Sequence, residues 1–293
     1  MPTFDTPNSI DVAIDLQAGS IEVSASARKD TVVTVTSGKQ AKSSDQDQRA
    51  AADTTVDFDG RRMVVAGPKP RLSWFGPSES IDVKIEVPAG SRLAAEIAAG
   101  GVRTDGTLGA TRIKSGTGAV DLDTTGDLWL RVSHGNASVA SAHGNVDITA
   151  DHGQVRIGSV AGDALLRSSY GNITVSESGG EIDAKLSYGD LEIAHAGTSV
   201  WAKTAYGTIT LGEVSSGSMD VESGFGGLVI GVRRGVAAWL DLSSTDGRVR
   251  NDLDSGAAPS ESEQSVSIRA RNRYGDIDVR YSDVRYSDVR NSR

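Results

Sequence analysis

A glycine returns about every nine residues from Gly118 to Gly235, at 118, 126, 135, 144, 153, 162, 171, 180, 189, 197, 207, 217, 226 and 235. Many of these glycines are followed by an apolar–x–apolar triplet, as in Val146-Asp147-Ile148, Val155-Arg156-Ile157, Ile173-Thr174-Val175, Leu191-Glu192-Ile193 and Ile209-Thr210-Leu211. Repetition at a fixed period constrains architecture more tightly than any motif. A helix is excluded, because apolar residues do not recur at helical spacing and each interior glycine would cost roughly 1 kcal/mol. Apolar–polar alternation instead marks short strands with one buried face. Glycine supplies the positive φ that tight corners require.

The nonapeptides alternate in kind. The residues before every second glycine are His134, His152, Tyr170, Tyr188, Tyr206 and Phe225, at steps of 18, 18, 18, 18 and 19. The intervening glycines follow Thr125, His143, Ala161, Gly179, Ala196 and Ser216. The unit is therefore about 18 residues, with two strands, one ring-bearing corner and one small corner. Two folds fit. In a β-solenoid each unit is one coil, equivalent positions stack at about 4.8 Å, and the six rings bury one another's faces. In an up-and-down meander or sandwich, Gly-Asn and Gly-Asp serve as two-residue hairpin turns and the rings lie two strands apart. Stacking favours the solenoid. On that reading Tyr188→Ala costs about 3–4 kcal/mol and Phe225, ending the column, costs less.

Three regions follow along the chain: an N-terminal β-strand region (1–88), the glycine-rich repeats (89–251), and a segment (252–293) with a loop, a final β stretch and a charged tail. In the first region, Ile10–Leu16, Ile21–Ser26 and Thr31–Thr36 read as strands, with a hairpin-like turn at Ala18-Gly19-Ser20. Residues 37–53 read as a mobile polar insertion, and Thr54–Ala66 and Ile81–Val87 as two further strands. Between those two lies Gly67–Pro77, where Trp74 and Phe75 stand between prolines as a candidate contact tip or cap. The tail repeats Arg-Tyr-Ser-Asp-Val at 280–284 and 285–289 and reads as a frayed terminus.

The recurring phrase Ser-x-Gly-x-[Val/Ile]-x-[Val/Ile] occurs in Ser169–Val175, with close variants in Ser115–Leu122, Ser133–Val139 (Ala137) and Ser187–Ile193 (Leu191). With the N-terminal Ala18-Gly19-Ser20-Ile21-Glu22-Val23, it resembles bacterial "putative adhesin" β-strand-repeat domains across nearly the whole chain. The resemblance implies a β-solenoid-like fold and a link to the cell envelope. It brings no catalytic residues, because that family has no known function.

Charge and composition narrow the functional classes. A formal net charge of −9 argues against nucleic acid and against a polybasic grip on anionic lipid. The absence of cysteine rules out disulfides and thiolate metal sites. The start, Met1-Pro2-Thr3-Phe4-Asp5, has no leader signature and no stretch approaches a membrane span, so the chain reads as cytoplasmic. Removal of a signal segment would make the cell envelope the alternative.

Three patterns of residues bear on chemistry. His134, His143 and His152 are nine apart, but they alternate between the two corner columns, and tyrosine replaces histidine further along, so ring shape rather than metal affinity is what the position needs. The corners lack the repeated Gly-Gly-x-Gly-x-Asp of calcium-binding rolls. Finally, Trp129, Asp147, Leu165, Asp183, Trp201 and Asp220 share one expected column. That strip could stack on a sugar, contact a protein, or place carboxylates for glycoside hydrolysis. The chain therefore reads as a non-catalytic β-repeat scaffold for binding or assembly, with no cofactor or metal and no membrane insertion. Its partner would be a protein or glycan, or a second copy. Trp74, Phe75, Trp129 and Trp201 are the candidate contacts, and His134, His152, Tyr170, Tyr188, Tyr206 and Phe225 form the structural ladder. A carbohydrate-active enzyme and a self-assembling structural protein are the alternatives.

Overall fold

A computed structural model describes residues 2–38, 45–68, 79–254 and 264–282. The chain is almost entirely β and forms two compact units, Met1–Gly144 and Asn145–Arg293. Each unit is a β-solenoid in which equivalent strands pair in parallel, one coil apart. In unit 2, Val146 pairs with Ala164, Ala164 with Ile182 and Ile182 with Val200. A meander would have paired sequential strands antiparallel. The core is the inward half of the alternation, with Ile148, Leu166, Ile173, Val175, Ile193 and Ile209 each 0% exposed.

The corners explain the Gly-Asn and Gly-Asp phrases. The ring-bearing corner glycines of unit 2 have φ between 137° and 152°. The residue after each glycine reaches along the stack: Asn172 Oδ1 accepts from Asp190 N at 2.9 Å, and Asp190 Oδ1 from Thr208 N at 2.8 Å. Just before the corner, an inward polar column donates to glycine carbonyls: Ser168 Oγ to Gly171 (3.0 Å), Ser223 Oγ to Gly207 (3.0 Å) and Asn272 Nδ2 to Gly226 (2.6 Å). These bonds satisfy backbone groups that a turn removes from the sheet ladder. The small corner at Gly180 works differently. Gly180 has no positive φ, but a Cβ there would lie 2.2 Å from the Gly162 carbonyl oxygen, so close backbone approach is what excludes a side chain.

Both units contain a coil out of sequence order. In unit 1, Asp11–Ser26 lies between Arg92–Gly106 on one side and Arg62–Ala66 plus Ile81–Pro88 on the other. The far side of that outer coil is covered by antiparallel strands, Asp30–Ser37 on Ile81–Pro88 and Thr55–Phe58 on Arg62–Ala66. In unit 2, Ser265–Tyr274 and Ile277–Tyr281 insert between the coil Gly217–Phe225/Leu228–Val232 and the coil Ala237–Asp246/Val249–Asn251.

Three local expectations are corrected. Ala18-Gly19-Ser20 is not a hairpin: Asp11–Ser26 is one strand bending at Gly19, whose φ is 132°, and both halves pair in parallel with the same strand, Arg92–Gly106. Thr54–Ala66 is not one strand but the hairpin Thr55–Phe58/Arg62–Ala66. Its turn is set by Asp59 Oδ1, which accepts from Arg61 N at 2.9 Å and Arg62 N at 2.7 Å. Those two N–H bonds hold the Asp59 carboxyl below the usual carboxylate range. Within 37–53, Asp45–Asp53 is a helix. Asp45 and Asp47 complement the positive end of its dipole, and the Ala50-Ala51-Ala52 run supplies propensity. Ala50 is buried and Asp47 Oδ1 accepts from Ser80 N at 2.9 Å, which ties the helix down.

Candidate functional site

Ring stacking in unit 2 runs from His152 through Tyr170, Tyr188, Tyr206 and Phe225 to Tyr274, with centroids 4.7–5.0 Å apart and interplanar angles of 14° or less. Phe225 is therefore not the end of the column, because the inserted coil places Tyr274 beyond it. Nor are the rings fully buried, since Tyr188 is 46% exposed. Their faces are occupied by one another, so solvent meets ring edges and the hydroxyls of Tyr170, Tyr188, Tyr206 and Tyr274. A ladder of this kind offers hydrogen-bonding groups to a ligand rather than flat stacking faces. His134 lies in unit 1, closing the strand Leu128–His134 with Thr117 as its register partner.

The expected Trp/Asp column is formed in unit 2, where Asp147, Leu165, Asp183, Trp201 and Asp220 occupy successive rungs, followed by Arg269 and Asp241. Asp147 and Asp183 are two rungs apart, about 10 Å, with Leu165 between them. Trp201 is 37% exposed but carries Lys185 Nζ 4.7 Å from its ring centroid. In unit 1, Trp129 pairs in register with Arg112, whose guanidinium lies 3.5 Å from the ring centroid, while that of Arg131 lies at 4.6 Å. Both tryptophans thus already hold cations against their rings. Trp129 borders a pocket of about 250 Å³ floored by Ala13 and Ala94 and edged by Glu96, Arg112 and Lys114. Trp74 and Phe75 lie outside the described residues.

A second column, missed in the sequence, gives unit 2 its most developed surface. Arg167, Lys185 and Lys203 occupy three successive rungs, followed by Glu222 and Arg271. Its last three members, Lys203, Glu222 and Arg271, wall a groove of about 450 Å³, facing Tyr206 and Phe225 across a floor that includes Ala205 and Gly224. The signal was available, since 167, 185 and 203 differ by 18, the coil period. Lys203 Nζ meets Glu222 at 2.8 Å, and Arg271 meets Asp241 at 2.5 Å. The Arg271 guanidinium holds the Asp241 carboxyl below the usual carboxylate range, and Asp241 in turn raises Arg271. His143 is exposed, and its backbone N–H donates to the Thr125 carbonyl at 2.8 Å. Among the described residues no group of three or more His, Asp or Glu is placed to hold a metal ion. No helix there is long and apolar enough to cross a membrane.

No curated protein matches the chain. Similar solved structures include a "putative adhesin" from Bacteroides fragilis, 14% identical, with 95% of this chain and 96% of that chain covered and a TM-score of 0.38. Another is a "putative cell adhesion protein" from Clostridium sporogenes, 9% identical, with 96% and 98% covered and a TM-score of 0.22. The family model described as Toastrack DUF4097 matches residues 10–286, nearly the full length, and the chain belongs to that family.

Proposed function

We propose that this chain is a non-catalytic scaffold that binds linear acidic glycans at the cell envelope, along the cation column and aromatic ladder of unit 2. The carrying observation is the run Arg167–Lys185–Lys203 beside the aromatic ladder. Like charges directly opposite one another on neighbouring strands destabilise a sheet. An anion laid along the column offsets that repulsion. Rungs repeat at about 4.8 Å, so a polymer with regularly spaced carboxylates or sulfates meets a cation and a tyrosine hydroxyl at successive steps. The scaffold holds these groups in fixed register, so little side-chain order is lost on binding.

Calorimetry with heparin fragments, and with neutral dextran as the control, tests this. Wild type should bind heparin with an affinity that falls as salt rises. The triple variant Arg167→Gln, Lys185→Gln, Lys203→Gln should lose about 100-fold, roughly 2.7 kcal/mol. Equal binding of dextran, or a triple variant within about twofold of wild type, refutes the reading. New reducing ends during the titration would favour the carbohydrate-active enzyme instead.

A further inference from the structure

We propose that the coil Ala237–Asp246/Val249–Asn251 is an interface through which two copies of this chain pair edge to edge. It packs on the inserted coil on one side, and among the described residues no strand pairs with its other side. In the inserted coil the interior positions Ile268, Ala270 and Ile277 are 1%, 0% and 0% exposed. Their register partners Leu240 and Leu242 are only half-buried, and Val249 is 46% exposed. Trp239, at 60%, is the most exposed large hydrophobic among the described residues. The apolar cross-section of the solenoid thus reaches solvent at this coil.

Natural sheets defend free edges with lysine, proline, bulges or inward charges. Ala237–Asp246 has no lysine and no proline, its register with Ser265–Tyr274 is unbroken, and its inward positions Ala238, Leu240 and Leu242 are apolar. Unit 1 treats its outer coil differently, covering it with antiparallel strands. The edge in unit 2 is built to be paired.

Charge identifies the occupant as a second copy. The chain carries a net −9, so two copies repel over most of their surfaces. Residues 233–254 carry four arginines and four aspartates and no net charge. Asp241 is already matched by Arg269 at 3.5 Å and Arg271 at 2.5 Å. A two-fold antiparallel pairing centred on Leu240 sets Leu240 against its own mate, Ala238 against Leu242 and Trp239 against Asp241. Both inward pairs where the two strands overlap are then apolar and no like charges meet, which satisfies the strand period and the self-complementarity of an isologous contact.

Light scattering on the full chain during size-exclusion chromatography, from low to high micromolar concentration, is the test. The expected mass rises towards twice 30.5 kDa. Leu240→Lys, which puts a charge on the inward side of the edge, should keep the chain monomeric at every concentration with an unchanged circular dichroism spectrum. Trp239→Ala should weaken the dimer by about tenfold or more. A concentration-independent monomer overturns the proposal. So does a dimer indifferent to Leu240→Lys, or growth past the dimer, since an isologous contact closes on itself. If a chain ending at Ser282 dimerises where the full chain does not, the chain's own C-terminal segment holds the edge, and the proposal is again overturned. None of these readouts depends on glycan binding.

Discussion

Gly189→Ala should be among the most damaging single substitutions in unit 2, costing about 4 kcal/mol. Two independent effects add. The backbone at Gly189 has φ of +149°, where an L side chain is strained. A Cβ there would also sit 2.2 Å from the Gly171 carbonyl oxygen and 2.7 Å from its carbon, and both are backbone atoms of the neighbouring coil. That neighbour cannot yield, because Gly171 N donates to Tyr188 O at 2.9 Å and fixes the spacing of the two corners. Gly227→Ala is the control. Its Cβ would meet Thr208 at 3.7 Å and the Asp276 carbonyl oxygen at 3.9 Å, both ordinary van der Waals contacts, so the change should cost less than about 1 kcal/mol. Urea unfolding at constant slope measures both. Comparable losses at the two sites would show that coil spacing relaxes around an added methyl group, contrary to the close approach that the structure shows.

The features legible in the sequence were those repeated at the coil period. Eighteen-residue steps among His152, Tyr170, Tyr188 and Tyr206 sufficed to infer parallel coils. The same steps placed Asp147, Asp183 and Asp220 in one column. Periodicity cannot reveal coils threaded out of order. Tyr274 joins the ladder 49 residues after Phe225, because its coil returns to insert beneath another; the phrase Tyr274-Gly275-Asp276 marks a corner of the same type but does not say where it inserts. For the same reason Asp11–Ser26 read as a hairpin. Its partners are Ile81–Pro88 and Arg92–Gly106, and a glycine bend within a long strand has the same composition as a turn between two strands.

The candidate site was half legible for a related reason. Trp129 and Trp201 stand out by type, and the eye takes exposed tryptophan as a stacking platform. What they hold depends on the neighbouring column: Arg112 over Trp129 and Lys185 over Trp201 become visible only when rungs are laid side by side. Arg167, Lys185 and Lys203 carry no signal as isolated surface cations in the sequence. Their meaning lies in their stacking, and the stacking follows from the fold. In the helix Asp45–Asp53, dipole-matched aspartates and three alanines were outweighed by a polar composition that resembles a linker.

Tyr188→Ala should cost about 2 kcal/mol, less than a buried ring would, because the ladder stands at the surface. With 46% of Tyr188 exposed, roughly half its burial contribution is absent. What remains is two stacked contacts, Tyr170 at 5.0 Å and Tyr206 at 4.8 Å, each contributing about 0.5–1.5 kcal/mol beyond area. Phe225→Ala should match it, because Phe225 stacks on Tyr206 at 4.9 Å and on Tyr274 at 4.7 Å. Tyr274→Ala should cost about half as much, since Asp246 rather than a ring occupies the next rung. Tyr188→Phe should be neutral within about 0.5 kcal/mol, as no hydrogen bond engages its hydroxyl among the described residues. The ordering matters more than the magnitudes. Equal losses at Tyr188 and Tyr274 would mean that each ring acts through its own coil alone. The stack would then be a consequence of parallel register, contributing nothing to holding one coil on the next.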